Sequence, residues 1–218
     1  MAHLASGAGW QTTFALVNRG TTAANATLNF FADNGSAQSL PLKVLETGVA
    51  SNTSSITETI APGASLWIQS AAPAAGPLLT GSAQLTTTGN IGGYAIFRYN
   101  TNGQEAVVPI ESRNASGYLI AYDNTNGTAT GVAINSISPQ GADISVVIRD
   151  DTGNQIGTGS ISLNANGHTS FELATRYPTT ANIRGTVEFD TPAGAEISVL
   201  GIRSPPALTF TTLPPLTK

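Results

Sequence analysis

Cysteine is absent from this 218-residue chain, which removes disulfides, thiolate nucleophiles and Cys-based metal sites and leaves the redox compartment undecided. Lysine is almost absent too, with Lys43 and Lys218 alone. A net charge of -4, a pI near 5.0 and only nine Lys and Arg, scattered along the chain, leave no cationic cluster to meet a phosphate backbone, so no nucleic-acid partner is expected. No run approaches the roughly 18 apolar residues of a membrane helix, so no membrane insertion is expected. The opening MAHLASGAGW has no apolar signal core, and with Trp10 this near the start the chain reads as a segment of something longer. Helix formers are scarce, and no stretch sustains apolar residues at three-and-four spacing, which predicts almost no helix.

What the chain has in quantity is Gly, Thr, Ser, Asn and Ala between short alternating apolar runs, and it has them twice. GWQTTFALVN matches GTATGVAINS, with Asn18 and Asn135 in the same place. The turn at Asp33 to Gly35 matches Asp151 to Gly153, Pro62-Gly63 matches Asn166-Gly167, and Gly81 matches Gly185. Trp67 falls on Phe171, Arg98 on Arg203, and Val108-Pro109-Ile110 on Leu213-Pro214-Pro215. The spacing between partners shortens along the chain, and one extra loop within Lys43 to Glu58 accounts for most of the change. The match predicts two domains of about 100 residues each, residues 1–112 and 113–218, joined by the short polar ESRNASG.

Within each copy the apolar residues alternate by twos, as in Phe14 and Leu16, Leu28 and Phe30, or Ile144, Val146 and Ile148. About seven such strands per copy, separated by turn signals such as DNG and DDTG, predict an all-β chain of two tandem immunoglobulin-like β-sandwiches. The prolines at 205, 206, 214 and 215 bracket the last strand and place it at a sheet edge.

The segments GWQTTFALVN, APGASLWI, IGGYAIFRY, YDNTNGTATGVAI, GHTSFELA, RGTVEF and TTLPPL resemble a β-sandwich module found, often in pairs, near the C-terminus of large secreted proteins of Acidobacteria and related soil bacteria. The resemblance implies an extracellular bacterial setting and a non-catalytic accessory role, and it supplies no catalytic residue.

The residues themselves point the same way. His3 and His168 are the only histidines, no G-x-S-x-G elbow occurs, and the carboxylates are scattered, so no triad or acid pair can be drawn. His3 is expected in a loose terminus and His168 at a surface or turn. Calcium is the possible cofactor, through Asp123, Asp150 and Asp151 in oxygen-rich turns, although neither turn has EF-hand spacing. Trp10 lacks an aromatic counterpart, so Trp10 with Tyr99 or Tyr122 is the predicted sugar-stacking group, while Trp67 reads as a repeated core or interface position. Arg98 and Arg203 are expected to be partly buried, paired with Asp33 and Asp151, which predicts that Arg98→Ala destabilises more than Arg113→Ala. The expected partners are another protein, a cell-surface glycan, or further copies of the chain through edge-strand pairing into a filament or surface layer.

Overall fold

The computed structural model describes every residue except 72 and 208. It is an all-β protein of four antiparallel sheets with two compact units, one comprising His3–Ile110 and the other Glu111–Lys218. No helix among the described residues is long and apolar enough to cross a membrane.

In the first unit the strands are β1 (Leu4–Ser6), β2 (Trp10–Asn18), β3 (Ala24–Ala32), β4 (Leu40–Val44), β5 (Ala50–Thr53), β6 (Ser55–Ile60), β7 (Ser65–Ser70), β8 (Leu79–Thr87), β9 (Ile91–Tyr99) and β10 (Gln104–Pro109). They form a four-stranded sheet, β1-β8-β3-β6, and a six-stranded sheet, β10-β9-β2-β7-β4-β5. Alternation sets the faces. Ala26, Leu28 and Phe30 of β3 and Phe14 and Leu16 of β2 are buried, and the Phe14 and Phe30 rings meet across the sheets at 5.4 Å. Each of the leucine and phenylalanine side chains contributes roughly 1.5–3 kcal/mol by leaving water. The amino terminus is held rather than loose: the Met1 ammonium donates to the Ala83 carbonyl at 3.0 Å, and His3 meets Phe97 edge-on at 5.7 Å.

The second unit comprises β11 (Gly117–Asp123), β12 (Ala129–Ser136), β13 (Ala142–Asp150), β14 (Gln155–Leu163), β15 (His168–Glu172), α1 (Leu173–Arg176), β16 (Arg184–Asp190), β17 (Ile197–Ser204), β18 (Thr211–Leu213) and β19 (Leu216–Thr217). Its sheets run β14-β13-β16-β11-β19 and β15-β12-β17-β18. One core cluster draws on both, with Tyr118, Ile120, Ile144, Val146 and Phe189 from the first and Val132, Ile134, Ile197 and Val199 from the second. Pro214 and Pro215 lie between β18 and β19, each an outermost strand of its sheet, as expected of segments that lack backbone donors.

The two units repeat one another, one residue out of step with the sequence match. Inward Leu16 pairs with Leu66 and inward Ile134 with Thr169, so Leu16 corresponds to Ile134 and Asn18 to Ser136. The amides of Asn18 and Ser136 donate to the carbonyls of Ala64 and Gly167, and the left-handed turn residue before each is Gly63 and Asn166. Trp67 therefore corresponds to Ser170, and Phe171 to inward Ile68. Because side chains alternate, the slip moves Trp67 from the core face to the outer face. The DDTG turn closes the β13–β14 hairpin, but after DNG the chain makes only a bridge from Phe31 to Ala37 before crossing to the other sheet as β4. The extra loop is a further hairpin, β4–β5, which widens its sheet beyond β7 to six strands, whereas in the second unit β15 ends its sheet and runs into α1.

Candidate functional site

Of the predicted sugar contacts, Trp10 and Tyr99 come together and Tyr122 is buried in the core of the second unit. Trp10 and Tyr99 are paired across β2 and β9 with ring centroids 4.8 Å apart, and Phe97 lies 5.7 Å from Trp10, so the indole is packed within a local aromatic cluster. Tyr122 belongs to the core of the second unit, where its phenol donates to the Arg149 carbonyl at 3.1 Å and burial raises its pKa.

The arginine pairs are also different. Arg98 is half-exposed and meets Glu105 at 2.9 Å, directly opposite it on β10, while Asp33 accepts from the Thr80 hydroxyl at 3.2 Å. Arg203 meets Asp123 at 3.3 Å, and Asp151 is exposed at the hairpin tip. The two arginines are not equivalent: Arg203 lies opposite Thr130, the counterpart of Thr12, whose partner is Phe97.

The calcium candidates serve their own turns. Asp150 accepts from the Thr152 and Asn154 amides, both at 2.9 Å, and from the Thr152 hydroxyl at 2.7 Å. Asp123 accepts from the Thr125 hydroxyl and amide and from Arg203 and lies 3.3 Å from the Arg184 guanidinium, which together lower its pKa to about 2. No cluster of three His, Asp or Glu suited to a metal occurs among the described residues. His168 is buried at the start of β15, opposite Asn135, rather than exposed.

The surface with chemical character is the outer face of the six-stranded sheet. Register places Trp67 and Tyr94 on either side of Ala15, Gln69 and Ile96 on either side of Thr13, and Arg98 beside Gln11. Ala15 points outward yet is only 3 % exposed, because the aromatic rows flank it. Val17, Leu45, Tyr94 and Val107 add exposed apolar surface. The Trp67 backbone is held by the segment that follows β4: its amide donates to Glu46 Oε1 at 2.8 Å and its carbonyl accepts from the Leu45 amide at 2.9 Å. A depression of about 300 Å³ lies over this region, lined by Gln11, Thr13, Leu45, Trp67, Gln69, Ile96, Arg98, Asn100 and Glu105. A second, of about 530 Å³, shares Gln11 and Gln69 and extends over Pro41, Lys43, Ala50 and Asn52 of the hairpin. Glu105 is the one carboxylate among the described residues lining either, and it is committed to Arg98. The arrangement offers one flat ring, amides and hydroxyls: groups that hold a ligand.

Sequence reasoning missed Trp67 because its apparent match to Phe171 suggested a shared core position. The alternation Leu66-Trp67-Ile68, with both neighbours buried, was the signal that places the indole outside.

No known protein family matches the chain, and no curated protein matches it. Among solved structures it is similar to an Arthrobacter globiformis T6 isomalto-dextranase complexed with panose, at 14 % identity over 88 % of this chain and 34 % of that one, with a TM-score of 0.27. It is likewise similar to a Pleurotus ostreatus lectin in complex with GalNAc, at 13 % identity over 95 % of this chain and 75 % of that one, with a TM-score of 0.23. The chain thus spans about a third of the first of these proteins. Likeness at this level carries no argument about what this chain does.

Proposed function

We propose that the chain is a non-enzymatic module of an extracellular bacterial protein, built from two tandem immunoglobulin-like β-sandwiches and serving as a spacer and attachment segment. The observation that carries the reading is the outer face of the six-stranded sheet: a rigid, broad surface of apolar and amide side chains in which the single lining carboxylate is neutralised by its neighbour. Hydrolysis of glycosides needs two carboxyl groups facing one bond, and acyl transfer needs a nucleophile beside a base; the face offers neither set. Self-assembly is the second reading: β5, β18 and β19 are each paired on one side only, to β4, β17 and β11, and each ends its sheet, which leaves an outer edge that a second copy could extend.

The test is to immobilise the whole chain and measure retention of bacterial surface polysaccharides, surface proteins and the chain itself, alongside turnover of esterase, protease and glycosidase substrates. Retention without turnover is expected. Turnover abolished by a substitution on this face refutes the reading.

A further inference from the structure

We infer that the two depressions are one groove for an uncharged oligosaccharide lying across the strands, with the Trp67 indole as its stacking platform and the Gln11 and Gln69 amides as its central hydrogen-bonding groups. This rests on the attachment reading above and names what is attached.

Continuity comes first. Gln11 and Gln69 line both depressions, and the lining residues run from Glu105 on β10 through Arg98, Gln11 and Gln69 to Lys43 and Asn52 on β4 and β5. Six strands spaced ~4.8 Å apart make that path about 24 Å long, the length of a short sugar chain and far more than a monosaccharide needs. Polar groups along it are fixed in advance. Gln11 Nε2 donates to the Ser70 carbonyl at 3.0 Å and Gln69 Nε2 to Thr13 Oγ1 at 3.0 Å. Neither amide oxygen has a partner among the described residues, and Thr13 keeps its hydroxyl proton to donate. Side chains held by the protein lose little freedom when a ligand arrives, and free acceptors beside a free donor suit hydroxyls that both give and take hydrogen bonds.

Charge and geometry narrow the class. Arg98 and Glu105 cancel at 2.9 Å, and the remaining lining charge is a single lysine at one end, which does not make a polyanion track. An extended peptide recognised by a sheet adds to an edge through backbone hydrogen bonds. Here the path crosses β9, β2, β7 and β4, each paired on both sides, so only side chains are offered. A ring whose face is flat and apolar, beside amides and hydroxyls, matches a sugar, which has apolar faces and a polar rim.

The experiment uses the whole chain with mixed-linkage β-glucan, dextran and galactomannan, and with polygalacturonate as the acidic probe, by affinity electrophoresis and calorimetry. Trp10→Phe leaves Trp67 as the only indole and makes its fluorescence a local report. At least one uncharged polymer is expected to bind and shift that emission, with its hexasaccharide binding more tightly than its trisaccharide. Trp67→Ala should weaken binding by at least about tenfold, equivalent to about 1.4 kcal/mol. Gln69→Ala should weaken it several-fold, Trp67→Phe should restore part of the loss, and circular dichroism should confirm that the variants fold. No binding to any uncharged polymer, preference for polygalacturonate, or affinity indifferent to both Trp67→Ala and Gln69→Ala overturns the inference. Trp67-dependent binding to a protein or to a second copy would also overturn it while leaving the attachment reading standing. Loss of all retention in the broader assay refutes that reading instead.

Discussion

Gly185→Ala should destabilise the second unit more than its small size suggests. Gly185 sits on β16 between Tyr122 and Asp150, and a Cβ placed there would lie 1.9 Å from the Arg149 carbonyl oxygen and 2.8 Å from the Tyr122 phenol oxygen. Carbon and oxygen approach no closer than about 3.3 Å even in a weak C–H hydrogen bond, so the two strands must part by more than about 1 Å, and the Tyr122-to-Arg149 bond is lost. Overpacking of this kind costs roughly 1–3 kcal/mol and the hydrogen bond about 1 kcal/mol. A total of about 2–4 kcal/mol corresponds to a fall in Tm of roughly 10–25 °C for a domain of this size. The counterpart Gly81→Ala, whose Cβ would lie 2.0 Å from the Phe31 carbonyl oxygen, should do the same to the first unit. Gly153→Ala is the control. Its backbone is left-handed at φ 89° but its Cβ meets open space, so it should cost only about 1 kcal/mol. Scanning calorimetry reads all three. A Gly185→Ala melting point within about 2 °C of the parent would refute the close-approach argument.

Arg113→Ala should destabilise more than Arg98→Ala, the reverse of the order that sequence position suggests. Arg113 serves the buried Glu111 side chain and also donates to the Pro215 carbonyl at 3.1 Å, whereas Arg98 and Glu105 are both half-exposed, a pair worth about 0–1 kcal/mol; urea unfolding of the two variants decides it. Asn18→Ala should cost roughly 2–4 kcal/mol, because the buried amide donates to the Thr22 and Ile60 carbonyls and its oxygen accepts from the Gly20 amide; an unchanged denaturation midpoint would count against this. Acid should weaken the second unit. Asp123, held at about 2 by the Thr125 hydroxyl and amide and by Arg203 and Arg184, supports folding above its usual value near 4 and loses that support as pH falls towards 2. Lys218 and Arg149 lower the pKa of Glu188 in the same direction. Asp123→Asn should flatten the pH dependence of Tm between 4 and 2, and an unchanged slope would reject the assignment.

The all-β architecture was legible because period-two alternation and turn glycines are local signals, and Phe14, Leu28, Ile144 and Val146 are inside as the pattern required. Register was not. Sequence similarity set Asn18 against Asn135, Trp67 against Phe171 and Arg98 against Arg203, each one residue from the pairing that strand ladders impose, and a shift of one residue exchanges inside for outside. The candidate site was lost with it, since its key ring is visible only once Trp67 is seen to project from the outer face. The arginine partners were equally beyond reach: Glu105 is close to Arg98 through a hairpin, but Asp123 reaches Arg203 only through tertiary folding.

The β4–β5 hairpin carries two scripts on one ribbon. Leu40, Leu42 and Val44 are sealed against the interior, while Pro41, Lys43 and Asn52 border the groove. Substitutions in the second set leave the first untouched, so the rim can be rewritten by drift or by a combinatorial library at little expense to folding. The second unit, whose corresponding sheet ends at β15, has no such ribbon and so no comparable place to vary.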